Sequence, residues 1–126
     1  MVYEKNNLIM REIKFRIWDN DNNLMDYLDF SDIEKSVQTL NSINDYFSTS
    51  YFKDVPPMQY TGLKDKNGKE IYEWDIVETK SGIGYVEFYM DSWMVRLDNA
   101  TRTVMFSIEK IIGNIYENPE LLNERP

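Results

Sequence analysis

The first regular pattern in the chain is a strict alternation of apolar and polar positions over residues 12–18, which read EIKFRIW. Alternation with a period of two is typical of a half-buried β-strand. One face carries Ile13, Phe15 and Ile17, and the other carries Lys14, Arg16 and Trp18. The polar cluster at residues 19–23 predicts a turn, because short polar side chains bond back to the local backbone. Residues 24–30 can return as a second strand, so the sequence predicts an N-terminal β-hairpin.

A helical period follows this hairpin. Ser31 and Glu34 have the S-x-x-E spacing of a capping box. The apolar positions after the cap lie near one face of a helix: Ile33, Val37, Leu40 and Phe47. We therefore predict one helix whose apolar stripe packs against the sheet. Pro56 and Pro57 supply no amide hydrogens and favour extended backbone, which predicts a linker between two lobes.

Short β-type runs separated by turn residues fill the rest of the chain. The clearest turn signal is Asn67-Gly68, which suits a two-residue type I′ turn because both central positions of that turn need positive φ. A further turn is predicted at Asp91-Ser92. The later predicted strands cover residues 85–90, 93–97, 103–106 and 111–116. Five short strands with tight turns predict a small barrel of SH3-like shape.

The whole pattern predicts an α+β fold that is mainly β, with an N-terminal β-hairpin plus one helix, followed by a small SH3-like β-barrel. The predicted parts are an N-terminal extension (residues 1–9), a hairpin-helix lobe with its linker (10–57) and a small β-barrel lobe (58–126). The extension rests on the hypothesis that translation starts at Met10. The intact mass of the protein from its native source tests that hypothesis, and a chain beginning at Met1 would refute it.

Charge and composition exclude several classes of function. The chain of 126 residues holds 22 acidic and 14 basic residues and carries a net charge of -8, which disfavours non-specific binding to nucleic acid or to anionic membrane. It contains no Cys and no His, so Cys/His zinc sites, thiol nucleophiles and Ser-His-Asp triads are excluded. We expect no cofactor and no metal. Because no run is apolar enough for a membrane span or a signal peptide, we expect a cytoplasmic protein without a membrane partner.

Four stretches of the chain carry a family resemblance. They read MREIKFRIWD (residues 10–19), MQYTGLKDKNGKEIYE (58–73), DIV (75–77) and IGNIYENPELL (112–122). In order and approximate spacing these stretches resemble the YopX family of phage and prophage proteins. One position departs from the family pattern, since Trp74 stands where that pattern usually has Gly. A Gly there suggests a turn or a close backbone approach, so Trp74 becomes a candidate for an exposed or interface contact.

The resemblance implies a small protein carried by a phage or an integrated element and acting in the cytoplasm of the bacterial host. It carries over no catalytic residue, because the family has no established activity to transfer. The shared stretches resemble turn and strand chemistry, which is the pattern expected of a scaffold. We therefore expect a protein that is not an enzyme.

Acidic residues offer two candidate sites. Asp19-x-Asp21-x-Asn23 has the start of a calcium-binding EF-hand loop, but the sixth and twelfth positions hold Leu24 and Phe30 instead of Gly and Glu, so that site is rejected. A second group surrounds the Asn67-Gly68 turn: Asp65, Glu70, Glu73 and Asp75. These carboxylates could hold Mg²⁺ or form an acid/base pair in an enzyme. The neighbouring lysines favour a solvated turn instead.

The remaining candidates are basic and aromatic. Lys14, Arg16 and Trp18 share one strand face and could contact phosphate and stack a base, which keeps a nucleic-acid-binding module as an alternative. The leading candidates are the aromatic residues of the predicted barrel: Tyr72, Trp74, Tyr85, Tyr89 and Trp93. A small barrel cannot bury every large ring, and exposed aromatic residues are enriched in interfaces. We therefore predict a non-enzymatic accessory or protein-interaction module, with Tyr72, Trp74, Tyr85 and Trp93 as binding residues. Its partner is predicted to be a host or phage protein or a second copy of the chain.

Overall fold

The computed structural model describes residues 12–29 and 55–124. The predicted helix that begins at Ser31 lies outside these residues, as do the predicted extension 1–9 and Met10. Within the described residues the fold is mainly β, with nine strands and two short 3-10 helices at Met105–Ser107 and Pro119–Glu124. The strands form two antiparallel sheets.

The first sheet has four strands in the order β2-β1-β3-β4. Its strands are β1 (Lys14–Asp19), β2 (Leu24–Asp29), β3 (Met58–Lys64) and β4 (Glu70–Tyr72). β1 pairs with β2 on one side and with β3 on the other, where Phe15 lies opposite Gln59. The sheet therefore runs across the predicted lobe boundary at residue 57.

Side chains on both faces of β1 are buried, and the strand also lies inside the sheet instead of at its edge. Ile17 is buried on one face, and Arg16 and Trp18 are buried on the other. Trp18 packs with Val55 and Met58, and its ring is stacked at 6.5 Å on that of Tyr116. The prediction of a half-buried strand with one solvent-facing side is therefore wrong for this part of β1.

The second sheet has five strands in the order β8-β7-β6-β5-β9. Its strands are β5 (Asp75–Thr79), β6 (Gly82–Tyr89), β7 (Ser92–Arg96), β8 (Arg102–Val104) and β9 (Ile108–Asn114). The 3-10 helix Met105–Ser107 redirects the chain after β8, and β9 returns to pair with β5. The largest apolar core lies on this sheet and contains Ile71, Val77, Val86, Val95, Met105 and Ile108.

One glycine allows two strands of this core to approach closely. A Cβ atom at Gly84 would lie 2.3 Å from the carbonyl oxygen of Arg96 and 2.8 Å from the side chain of Val95. Side chains do not approach backbone that closely, so the position requires a residue without Cβ. Gly84 therefore lies inside β6 and supports the packing of β6 on β7.

The turn at Asn67-Gly68 differs from the predicted type I′ turn. Gly68 has a positive φ of 83°, but Asn67 does not. The Gly68 amide bonds to the Asp65 carbonyl, and the Asp65 carboxylate accepts the amide hydrogens of Asn67 and Lys69, each at 2.9 Å. These bonds hold a longer loop in which only the glycine is left-handed, because a carboxylate at the start of the loop satisfies its amides.

A two-residue turn with both positions at positive φ does occur, between β6 and β7. Met90 has φ of 48° and Asp91 has φ of 64°, and Tyr89 lies directly opposite Ser92. The turn is therefore centred one residue earlier than the predicted Asp91-Ser92. The sequence pattern is misleading here, because Met is not among the residues that favour such a turn.

Candidate functional site

The end of the β6–β7 hairpin carries apolar side chains on both of its faces, and we call this group the hairpin surface. It consists of Phe88, Tyr89, Met90 and Trp93. Phe88 is 51% exposed, Tyr89 is 39% exposed and Met90 is 80% exposed. Trp93 is partly buried against the main core, and its ring lies 5.0 Å from that of Phe88. The core thus anchors one side of the hairpin surface while the other side meets solvent.

Met90 is unfavourable in this position for two independent reasons. Its left-handed backbone costs about 1–2 kcal/mol for a residue with a Cβ. Its side chain also exposes more of its surface to water than any other residue of the hairpin surface. An apolar residue kept at a strained and solvated position suggests a function that neither folding nor solubility supplies.

A charged cluster lies on β6, β7 and β8 beside the hairpin surface. The Nε atoms of Arg96 and Arg102 donate hydrogen bonds to the same oxygen, Oε1 of Glu87, at 3.0 Å and 2.9 Å. The guanidinium carbon of Arg102 lies 3.6 Å from the centre of the Tyr89 ring. Tyr89 therefore belongs to the hairpin surface and also contacts the arginine cluster.

The structure does not bring the four predicted binding residues together on one surface. Tyr72 is buried beside Tyr60, and this burial raises the pKa of its phenol to about 12. Trp74 and Tyr85 are partly buried and contact each other with ring centres 5.6 Å apart. Of the four, Trp93 alone belongs to the hairpin surface.

Trp74 has the backbone conformation expected of the Gly that the family pattern usually has at this position. Its φ is 66°, a left-handed conformation that glycine adopts without strain. Its amide donates to the carbonyl of Val86, and its carbonyl accepts from the amide of Ile115. The ring packs on the cluster that contains Trp18 and Met58. The Trp74 backbone is therefore bonded both to β6 and to the residue that follows β9, and its side chain is partly buried instead of projecting into solvent.

The basic face predicted for nucleic acid consists of groups that are already paired. The Arg16 guanidinium forms an ion pair with Asp75 at 2.8 Å and lies 4.8 Å from the centre of the Tyr72 ring. Lys14 pairs with Glu12 and Glu70, and these hydrogen bonds raise the pKa of its ammonium group. With Trp18 also buried, the three residues do not form a basic, base-stacking surface.

The carboxylates near the Asn67-Gly68 turn are held apart by different partners. Asp65 is buried and accepts amide hydrogens from its own loop and, at 3.0 Å, from Ile111. Burial raises the pKa of the Asp75 carboxyl, while the Arg16 charge and the Tyr72 amide oppose that rise. The solvated turn predicted for these two residues is therefore wrong.

Metal chemistry also lacks a donor set in this part of the chain. Across residues 12–29 and 55–124, no three carboxylates converge in a way that could hold a metal ion. In the rejected EF-hand stretch, Asp19 accepts the amide hydrogens of Asp21 and Asn22 at 3.0 Å and 3.2 Å. This geometry is the side-chain-to-backbone bonding typical of a polar turn.

An open polar cleft of about 390 Å³ lies where β4 of the first sheet approaches β9 of the second. Tyr27, Lys69 and Asn118 line its rim, and the Arg16–Asp75 pair lies at its base. The Arg16 and Asp75 charges at the base pair with each other, so these two groups offer no unpaired charge to a ligand.

The aromatic candidates predicted from the sequence include Tyr89 and Trp93, but not Phe88, Met90 or the arginines of the cluster. The predicted strand 85–90 contains Phe88 correctly, but it also includes Met90, which lies in the turn. A signal was present in Phe88, Tyr89 and Met90, three consecutive apolar residues directly before Asp91. A run of this length at a hairpin end exceeds what one buried face of a strand can cover.

Comparisons with known proteins agree with the resemblance. No helix within residues 12–29 and 55–124 has the length and apolar character needed to cross a membrane. No curated protein matches the chain. The family model described as YopX protein matches residues 14–123, which include both sheets. The chain therefore belongs to the YopX family.

Proposed function

We propose that this protein is a non-enzymatic interaction module encoded by a phage or prophage, which binds a host or phage protein through the hairpin surface. The observation that carries this proposal is Met90, whose side chain is 80% exposed on a left-handed backbone. Binding would remove this side chain and its aromatic neighbours from water. Burial of apolar area of this kind is the main favourable term in protein association.

The rigidity of the hairpin supports the proposal. Directly below the hairpin surface, Val86 pairs with Val95, and both are fully buried. Phe88 pairs with Trp93 at the next position on the same face. Phe88 and Trp93 therefore already contact each other in the unbound chain, so that binding orders fewer side chains. Aromatic and methionine side chains are enriched at the centre of interfaces.

The second sheet would serve as the scaffold of this module, and we propose that it forms an SH3-like barrel. Support comes from its strand order, in which four strands follow one another as a meander and β9 returns to pair with β5. A 3-10 helix before β9 makes the return. Barrels of this kind carry many functions through their loops, so the fold alone does not choose the partner. The cytoplasm of the bacterial host is the proposed setting.

The test compares proteins captured by the wild type and by surface variants from a lysate of the bacterial host. Met90→Asn and Phe88→Ser remove apolar area from the hairpin surface. Leu63→Ser is the matched control, because Leu63 is 47% exposed on the first sheet. A protein lost with both hairpin variants and retained with the control, at a defined mass ratio in light scattering, supports the proposal. Capture that is identical for all three variants would refute it, and so would recovery of nucleic acid that salt releases.

A further inference from the structure

We propose that the arginine cluster beside the hairpin surface binds a carboxylate of the partner, so that the recognised segment combines an apolar residue with an adjacent Asp or Glu. This inference rests on the proposed function and names the chemistry of the partner. The cluster consists of Glu87, Arg96 and Arg102. Three observations carry the inference: the shared carboxylate oxygen, the orientation of Arg102 and the contact with Tyr89.

The arginine cluster contains one carboxylate for two guanidinium groups. Arg96 and Arg102 lie directly opposite each other on β7 and β8, and like charges at such positions repel. Both donate through Nε to one oxygen of Glu87, whose side chain is 12% exposed. One carboxylate therefore faces two guanidinium groups. A second carboxylate at this position would relieve the remaining repulsion.

The Arg102 guanidinium binds Glu87 through one edge, and we infer that its second edge binds the partner. Its Nε is used by Glu87, and the terminal nitrogens form the other edge of the planar group. The Arg102 side chain is 20% exposed, so part of it meets solvent. Paired N–H groups of arginine bind a carboxylate with two parallel hydrogen bonds. Arg96 differs, because its Nη1 lies near the carbonyl oxygens of Asp98 and Asn99.

Tyr89 connects this cluster to the apolar part of the surface. The Tyr89 ring lies against the Arg102 guanidinium at 3.6 Å, which holds the charge in place by a cation–π contact. Tyr89 also neighbours Met90, the most exposed residue of the hairpin surface. A single extended segment could therefore place an apolar side chain on Met90 and a carboxylate on Arg102.

The charge of the whole chain favours a single carboxylate over a polyanion. With a net charge of -8, the protein repels a nucleic acid, whose affinity depends on many phosphate contacts. One carboxylate needs only local complementarity, which short-range hydrogen bonds to arginine provide even where the distant field is repulsive. The geometry therefore points to an acidic, apolar peptide segment.

The test selects a displayed random-peptide library against the immobilised full chain, and it needs no knowledge of the natural partner. We expect the selected peptides to combine aromatic or aliphatic residues with Asp or Glu. Changing the acidic residue of a selected peptide to Gln or Asn, or changing Arg102→Gln in the protein, should weaken binding about tenfold or more. Arg102→Lys should recover only part of the affinity, because an ammonium group lacks the paired geometry.

The controls separate failure of this inference from failure of the proposed function. Lys110→Gln removes one positive charge from β9, where Lys110 pairs loosely with Glu78 at 3.8 Å, and it should leave affinity unchanged. Selected peptides that depend on Met90 but show no acidic preference, or that are indifferent to Arg102→Gln, would overturn the inference and leave the proposed function standing. No selected peptide, or selected peptides indifferent to Met90→Asn, would overturn both. Circular dichroism confirms that each variant is folded.

Discussion

Arg16 on β1 and Asp75 on β5 form a buried ion pair that links the two sheets. Nη2 of Arg16 lies 2.8 Å from Oδ1 of Asp75, and the two side chains are only 6% and 3% exposed. The other carboxylate oxygen accepts the amide hydrogen of Tyr72 at 2.8 Å, and Nη2 of Arg16 also donates to the carbonyl of Glu73. The pair is therefore embedded in hydrogen bonds from β1, β4 and the turn that leads into β5.

Removing one partner of this pair should destabilise the protein strongly. Arg16→Met leaves the Asp75 carboxylate buried without its counter-charge, for which we expect a loss of about 3–5 kcal/mol in the free energy of unfolding. Urea denaturation monitored by tryptophan fluorescence measures the change. The matched control is Lys110→Gln, which breaks an exposed pair and should cost less than about 1 kcal/mol. Equal effects of the two substitutions would contradict the structural role of the buried pair.

Trp74 should respond differently to Gly and to Ala. Both substitutions remove the ring from the cluster around Trp18 and Met58, but Gly alone relieves the strain of a φ of 66°. We expect Trp74→Gly to be more stable than Trp74→Ala by about 1 kcal/mol, the reverse of the usual order in regular structure. Thermal unfolding of the two variants side by side measures the difference. If Trp74→Ala were the more stable variant, the left-handed assignment would be wrong.

The turn at Met90 should be easy to stabilise. Asn tolerates positive φ, so Met90→Asn should leave the free energy of unfolding unchanged or raise it by up to about 1 kcal/mol. Met90→Val places a β-branched residue at the same φ of 48° and should lower it. Opposite signs in chemical denaturation would confirm the turn, whereas equal losses would indicate that the Met90 side chain itself stabilises the fold.

Gly84→Ala should destabilise the main core. The added methyl group would meet the carbonyl oxygen of Arg96 at 2.3 Å, which forces β6 and β7 apart. We expect a loss of about 1–3 kcal/mol, as for other overpacked sites. Ser92→Ala, at an exposed position of β7, is the control and should change stability by less than about 0.5 kcal/mol. A neutral effect of Gly84→Ala in urea denaturation would show that the two strands can separate freely.

Asp65 should make stability depend on acid pH. Burial alone would raise the pKa of its carboxyl, but backbone amides, that of Ile111 foremost, hold the pKa below the ordinary value of 3.8. The folded state then binds this proton less tightly than the unfolded chain does. The stabilisation is therefore present above pH 3.8 and is lost as the pH falls through the folded-state pKa.

The comparison with Asp65→Asn isolates this contribution. At neutral pH the variant should be less stable than the wild type by about 2 kcal/mol, because a charged acceptor of several amides is lost. The difference should shrink as the pH falls from 3.8 through the lower pKa of the folded state, because the wild-type carboxyl then becomes protonated as well. Denaturation midpoints across this range measure it, and a difference that stays constant with pH would argue against a charged Asp65 in the folded state.

The local pattern of apolar and polar residues predicted the strands better than it predicted which of their side chains are buried. The alternation around Phe15 and Ile17 correctly indicated β1, since period-two alternation is a property of the strand itself. The burial of Arg16 could not be predicted, because its partner Asp75 lies 59 residues away in the chain. Sequence spacing carries no information about such a pair, and an arginine in a strand reads as solvent-facing unless its counter-charge is known.

The two turns also differ from what the local sequence predicts. Asn67-Gly68 is a strong type I′ signal, yet the Asp65 carboxylate imposes a different loop on it. Met90 carries no turn signal, yet it occupies a left-handed turn because β6 and β7 are held in register by Val86 and Val95 below it. Tertiary packing overrides turn preference in this hairpin, and for that reason the position of the turn could not be predicted from the sequence.

The return of β9 to β5 sets the order in which the protein can be completed during synthesis. β5 is made early in the second sheet, but one of its two neighbours is the last strand of that sheet, and Ile108 on β9 completes the same core as Val77 on β5. While β9 is still inside the ribosome, one edge of β5 therefore has no partner strand. The core also lacks Ile108 and stays incomplete on that side. Folding of the second sheet must therefore follow synthesis of β9, and a product truncated before β9 lacks one strand of this sheet and part of its core.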